Sequence, residues 1–331
     1  MTDVPQMQHV KGNCLLYVHG RDFKPSATSL MDFNVAALAA AIARDRPEAL
    51  DRFHTLDKVL CYYGDYNNEF LLATGRHYDE ALDMGDRRNA LLKLKSLVKT
   101  KHFGVTRYDR LPGKTAVAEF AADVAAPLLG SIGLSKALIA KVAPDLAEYW
   151  KADGEFAAKL RARVRQPIIE ALDREERLLL VAHGTGSIVT YDVLWQLSHD
   201  PEYAGRYAER KIDTFLTMGS PLGDSMVRRR LLGAKCKGRM RFPINIMTWY
   251  NISAEDDYLC HDNTLADDFK VMLKQRQVSS IRDHRIYNLS VRYGKSNPHS
   301  SVGYLMHPRT AQIVADWFNG EPPPPDPVSI L

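Results

Sequence analysis

The segment Leu178-Leu-Leu-Val-Ala-His-Gly-Thr-Gly-Ser187 carries the strongest chemical signal in the chain. It reads as a buried strand that runs into a sharp turn and then into a helix beginning Ile188-Val-Thr-Tyr-Asp-Val-Leu194. A turn of the pattern Gly-x-Ser-x-Gly holds its central side chain over the carboxyl end of a parallel sheet, where a serine hydroxyl is exposed for attack. Here the five positions are Ala182, His183, Gly184, Thr185 and Gly186, so the turn is present and its hydroxyl is absent. Glycine at the tip also has a plain structural reading, because such a turn strains a residue bearing a Cβ by about 1–3 kcal/mol and leaves glycine relaxed. Neither neighbour replaces the missing group. Thr185 is the residue whose amide would face an oxyanion, and Ser187 falls in the first helical turn, pointing away.

This segment resembles the α/β-hydrolase superfamily, in particular its lipase-like and esterase-like bacterial members, in which such strands often end in His-Ser-x-Gly-Ser. The resemblance puts Gly184 at the place of the nucleophile. It implies the chain order nucleophile, acid, histidine, which here is Gly184, Asp257, His299. Asn297-Pro-His-Ser300 precedes Tyr304 and a helix opening at Pro308, and resembles the loop that delivers the family's histidine; a solvated loop histidine is the plain alternative, and His307 a second candidate. Asp257 precedes Tyr258-Leu259 as the family's acid precedes an apolar pair, with Asp256 as its rival and a hydrated acidic turn as the plain reading. His19-Gly20-Arg21-Asp22 resembles the His-Gly oxyanion loop of lipases, so that the amides of Thr185 and of a residue after the strand Leu15 to Val18 would be the oxyanion donors. His19 and His183 are expected to pack and hydrogen-bond near strand ends. Met218-Gly-Ser220-Pro-Leu-Gly223 resembles a pocket-lining strand end; Ser220 offers a hydroxyl, but nothing places it on an elbow.

The elements needed to position these residues are legible. Short apolar runs at Leu15 to Val18, Val59 to Tyr63, Leu178 to Ala182, Thr214 to Met218, Ile244 to Trp249 and Ile286 to Val291 read as strands, with helical periodicity between most of them. That alternation predicts an α/β protein with a mostly parallel sheet covered on both faces, of the α/β-hydrolase type given the resemblance. Residues 1–66 and 177–320 would form the core. Residues 67–176 are too long for one crossover and read as a helical insertion or cap, with helical stretches at Arg87 to Lys101, Val117 to Leu129 and Leu134 to Trp150. Its last segment repeats Phe156, Leu160, Val164, Ile168 and Leu172 every four positions, which suits a helix lying on the sheet and kinked at Pro167. Residues 321–331 form a proline-rich tail.

The chain has 331 residues, 45% hydrophobic and 25% charged, with 44 Lys and Arg against 40 Asp and Glu. A net charge of +4 argues against a dedicated nucleic-acid partner. Its four cysteines show no Cys-x-x-Cys spacing, and Met1 to Val10 lacks the pattern of a signal peptide, so a cytoplasmic location is expected. His261, Asp262, Asp267 and Asp268 match no metal-ligand spacing, and neither metal nor cofactor is expected. The basic residues Arg228 to Arg230, Lys235, Lys237, Arg239 and Arg241 read as a solvated loop, contact with a phosphate-bearing ligand or a membrane surface being the less favoured reading. Two functions follow. In the first, a His-Asp dyad without the usual serine carries out slow or altered ester or acyl hydrolysis. In the second, the chain is an inactive pseudohydrolase that binds a small acyl or apolar ligand or a protein.

Overall fold

The computed structural model describes residues 12–113, 143–151, 154–260 and 264–320. Six strands, β1 (Asn13–Val18), β2 (Asp57–Cys61), β3 (Arg177–His183), β4 (Ile212–Met218), β5 (Ile246–Ala254) and β6 (Ser280–Ile286), form one sheet in the order β2-β1-β3-β4-β5-β6. Every pairing is parallel. The strands are almost continuously apolar because both faces are covered. The register aligns Leu16, Leu180, Phe215, Trp249 and Ile281 in one row across the sheet, and Tyr17, Val181, Leu216 and Tyr250 in the next row on the other face.

Helices α1 (Ala27–Asp45), α2 (Gly64–Ala73), α3 (Glu80–Lys95), α4 (Glu155–Asp173), α5 (Gly186–His199) and α6 (Pro308–Asn319) supply the outer layers. The row containing Phe215 and Trp249 packs in one core with Leu160, Val164 and Ile168 of α4 and Val193, Leu194 and Leu197 of α5. The opposite row packs with Phe33, Leu38 and Ile42 of α1, Leu91 and Leu94 of α3, and Ile313 and Val314 of α6. After β2 the chain returns to the far side of β1 to lay down β3. The strand order therefore reverses between β1 and β3, and the crevice beyond their carboxyl ends is where a sheet of this kind binds ligands.

Several boundaries differ from those read in the sequence. β5 continues to Ala254, five residues past the expected end, because its last turn of sequence, Asn251-Ile-Ser-Ala254, is buried although half polar. β6 ends at Ile286, where the expected strand began: Ser-Ile-Arg-Asp-His-Arg-Ile is an edge strand whose charged residues hide the alternation. α3 ends at Lys95 rather than Lys101. α4 runs unbroken through Pro167 and lies on β1, β2 and α5, so it covers the sheet and not the site. Val117 to Leu129, the N-terminal Met1 to Val10 and the tail 321–331 lie outside the described residues, as does most of Leu134 to Trp150, of which Pro144–Tyr149 is helical. No described helix is long and apolar enough to cross a membrane.

Candidate functional site

β3 ends at His183 and α5 begins at Gly186, so Gly184 and Thr185 form the strand-to-helix turn. Gly184 has φ +55°, the left-handed region that glycine enters without penalty. Gly186 is required for a different reason: a Cβ there would sit 2.2 Å from the His19 carbonyl oxygen, so only glycine lets the start of α5 press against the end of β1. Thr185 occupies the helix N-cap without a side-chain capping bond, which leaves capping of the first-turn amides to other groups.

His299 lies on the short loop between an antiparallel hairpin that follows β6 (Val291–Arg292 paired with Lys295–Ser296) and the short helix Ser301–Leu305. Its Nδ1 is 2.9 Å from Asp257 Oδ2 and 3.1 Å from Oδ1. Since a carboxylate can only accept, Nδ1 carries a proton, and in the neutral ring Nε2 then presents a lone pair. That Nε2 faces Gly184: an ideal Cβ on the glycine would be 2.9 Å from Nε2 and 3.2 Å from Cε1. A nucleophile side chain at this turn would need a gap able to take a hydroxymethyl group. The imidazole instead closes on the turn, so a serine there would force it to retreat.

Asp257 is buried and receives a second hydrogen bond, 2.6 Å, from the Tyr304 hydroxyl. Burial alone would raise its carboxyl, but the His299 imidazole and the hydrogen bonds from His299 and Tyr304 outweigh this and hold it below the usual carboxylate range. Burial and the neighbouring Asp257 push the Tyr304 phenol well upward, so it remains a donor. Asp257, not Asp256, is the carboxylate bonded to His299. Asp256 has φ +58° and its carboxylate accepts instead from the Tyr108 hydroxyl at 2.5 Å.

The loop carrying His299 is held from two sides. Asn288, fully buried, donates to the carbonyls of Pro298 and Ser300 at 2.8 and 3.0 Å. His183 Nε2 donates to the His299 carbonyl at 3.0 Å, which fixes the His183 tautomer, and burial together with the adjacent His299 keeps it neutral. His183 is thus a positioning residue. Ser187 donates to the Gly184 carbonyl at 2.6 Å and meets Ser220 Oγ at 2.7 Å, while Ser220 caps the turn at Leu222; neither hydroxyl is bonded to His299. His307 is half-buried and serves elsewhere, its Nδ1 accepting from the Arg309 amide that opens α6.

On the opposite wall, Gly20 Cα lies 3.9 Å from the Cβ position on Gly184. His19 Nδ1 donates to the Gly20 carbonyl at 2.8 Å and its Nε2 accepts from the Tyr63 amide at 3.2 Å. Asp145, from the insertion, clamps the next two residues, accepting from Arg21 Nε at 3.2 Å and from the Asp22 amide at 2.9 Å. The ammonium of Lys24 donates to the carbonyls of Arg21, Asp22 and Phe23, and burial with the nearby Arg87 brings it down to about 7.

Above the dyad is a cavity of ≈ 580 Å³ whose lining includes His19, Gly20, His183 and His299 from the strand ends, and His77, Tyr78 and Arg87 from the insertion. The insertion therefore reaches the mouth of the site through residues 77–90. The cavity is more polar than the acyl pocket expected from the sequence. Asp83, buried at its base, accepts from Tyr78 (3.0 Å), Arg87 (2.8 Å) and Arg292 (2.8 Å), and Phe23 stacks on Tyr78 at 4.9 Å. Asp83, Asp145, Lys24 and Asn288 were not legible as site residues, since each lies on a loop or helix whose local pattern carries no motif; Tyr304 was legible only as a landmark after the histidine loop, not as a partner of Asp257. Of the residues weighed as metal ligands, Asp268 pairs with Arg228, and His261 and Asp262 lie outside the described residues.

Burial holds His19 down to about 3, against about 6.5 in an unfolded chain. The unfolded state therefore takes up this proton first. Stability from this group is complete above about pH 6.5 and is lost as pH falls towards 3, by up to about 1.4 kcal/mol per pH unit. His183 adds in the same direction. Denaturant unfolding at pH 7, 6 and 5 should show this acid slope, and His19→Gln should flatten it; an unchanged slope in the variant would refute the assignment.

Comparison of the chain with protein-family models, curated proteins and solved structures found no match.

Proposed function

We propose that the protein has an α/β-hydrolase-type fold related to lipases and esterases, and hydrolyses an ester or similar acyl compound slowly, through water activated by His299 and Asp257. The observation that carries this reading is the His299 imidazole, with Nδ1 on Asp257 at 2.9 Å and Nε2 directed at the Gly184 turn. Support also comes from the placement of each group after a strand of a parallel sheet: the loop 19–22 after β1, the turn after β3, the acid after β5 and the histidine after β6.

The chemistry runs without an acyl-enzyme. The substrate carbonyl oxygen points toward the Thr185 amide and the loop after β1. His299 Nε2 takes a proton from water, the hydroxide adds to the carbonyl carbon, and Asp257 stabilises the imidazolium. Collapse of the tetrahedral adduct breaks the bond to the leaving group, which receives the proton from Nε2. General-base assistance of this kind supplies about 10²–10⁴-fold. The test is steady-state hydrolysis of p-nitrophenyl acetate, with His299→Gln expected to lower the rate about 10²-fold or more and no pre-steady-state burst in the unsubstituted protein.

The second reading, a pseudohydrolase that binds without turnover, is favoured by one observation: the imidazole closes on the turn and leaves less room than water attack would use. Equal rates for the unsubstituted protein and His299→Gln would select it.

A further inference from the structure

The chain's positive charge is unevenly placed. Between Arg88 and Arg110 there are seven Lys and Arg (Arg88, Lys93, Lys95, Lys99, Lys101, Arg107, Arg110) against one acid, Asp109, although the whole chain carries only +4. All seven are exposed, and none forms an ion pair with a described residue. Interspersed with them are apolar side chains that the fold leaves in water: Leu92 is 65% exposed, Val98 66% and Val105 48%. On α3 this follows from spacing, since Arg88, Leu92 and Lys95 recur at four and three residues and share one face.

Beside this surface lies a groove of ≈ 640 Å³. Its floor includes Leu94, Leu97, Leu111, Leu289 and Val291, and its rim Lys93, Lys101, Arg107 and Arg110; among the described residues no carboxylate lines it. By contrast, the basic segment singled out in the sequence is largely committed to its own fold: Arg228 pairs with Asp268, Arg230 lies over Trp150, and Arg239 holds the Gln275 carbonyl.

We propose that the face formed by the second half of α3 and residues 96–111 docks on an anionic lipid bilayer, its lysines and arginines among the headgroups and Leu92, Val98 and Val105 in the interfacial region. Charge complementarity selects an anionic surface. Exposed aliphatic side chains and an apolar groove select lipid over nucleic acid, whose phosphates reward the cations but not these residues. The first half of α3 lines the cavity above His299, so docking would hold that cavity close to lipid.

The test is co-sedimentation of the full chain with vesicles of phosphatidylcholine alone or mixed with phosphatidylserine, at low and high NaCl. Binding is expected to the mixed vesicles only, weakening with salt. Neutralising Lys93, Lys101, Arg107 and Arg110 to Gln should reduce partition about fivefold per charge. Leu92→Ser with Val98→Ser, which keeps the charge, should reduce it about tenfold. Lys235→Gln with Lys237→Gln, matched for charge per site elsewhere, should change it less than about twofold. Circular dichroism of each variant confirms that it is folded. The proposal is overturned by absence of binding to the mixed vesicles at low salt, by equal loss in the Lys235 and Lys237 control, or by binding to both vesicles and duplex DNA that the Leu92 and Val98 substitutions leave unchanged.

Discussion

Gly184→Ser is expected to raise hydrolysis of small activated esters about 10²–10⁴-fold and to introduce a burst of released alcohol equal to the enzyme concentration. The reasoning starts from the base. Nδ1 of His299 is already committed to Asp257, so the lone pair on Nε2 is available to a hydroxyl placed on the turn. A covalent nucleophile divides the reaction into two easier steps, and in the proposed hydrolytic reading its absence is what limits the rate. The substitution carries two costs. At φ +55° a residue with a Cβ loses about 1–3 kcal/mol. The new Cβ would also meet Nε2 at 2.9 Å, so the imidazole must give by several tenths of an ångström; it is the end of a side chain on a loop, with 27% of its surface in solvent, and can do so. Gain of activity together with a lower melting temperature is the expected pair of results. A folded variant with no gain would show that the donors facing the carbonyl oxygen are not in place.

Asp257→Asn should lower both the basal rate and any rate gained by Gly184→Ser by about 10²–10⁴-fold. The carboxylate accepts from His299 Nδ1 and from Tyr304, and a carboxamide presents one acceptor and one donor to these two donors. Either the imidazole takes the wrong tautomer, with its proton on Nε2, or Tyr304 loses its partner. Each lost hydrogen bond to a charged group costs about 1.5–3 kcal/mol, so the variant should also unfold at lower denaturant. Tyr304→Phe separates the two effects, since it removes one bond to Asp257 and leaves the tautomer intact: stability should fall with the rate reduced less than about tenfold. A basal rate unchanged in Asp257→Asn would remove the dyad from the mechanism.

The parts of this site that were legible in the sequence are those fixed by local chemistry. Leu178 to Ala182 is apolar without alternation because the strand is buried on both faces, and Gly184 and Gly186 mark a turn that tolerates no Cβ without displacement. The order Gly184, Asp257, His299 came from the resemblance; the structure puts the first two directly after β3 and β5, and His299 beyond β6, a strand whose bounds the sequence did not show. What failed did so where burial contradicts composition. Ser280–Ile286 is a strand rich in charge because it is an edge, and Asn251–Ala254 continues a strand because its polar side chains find partners inside. Asp256 and Asp257 could not be told apart by type; the left-handed backbone at Asp256 turns its carboxylate to Tyr108. The character of the cavity was misjudged for a third reason. Asp83 and Asp145 come from the insertion, where no periodicity reveals that two acids will be buried and will organise Arg21, Arg87 and Arg292 around the mouth.

The measurement closest to the central claim, a base held in place at a turn without its nucleophile, is fluorophosphonate labelling of Gly184→Ser followed by peptide mapping, with Gly184→Ser/His299→Gln as its partner. The account predicts stoichiometric phosphonylation at position 184, absent from the unsubstituted protein and reduced at least about 10²-fold when His299 is replaced. A folded Gly184→Ser protein that resists the reagent, or that is labelled at Ser187 or Ser220 instead, would contradict it.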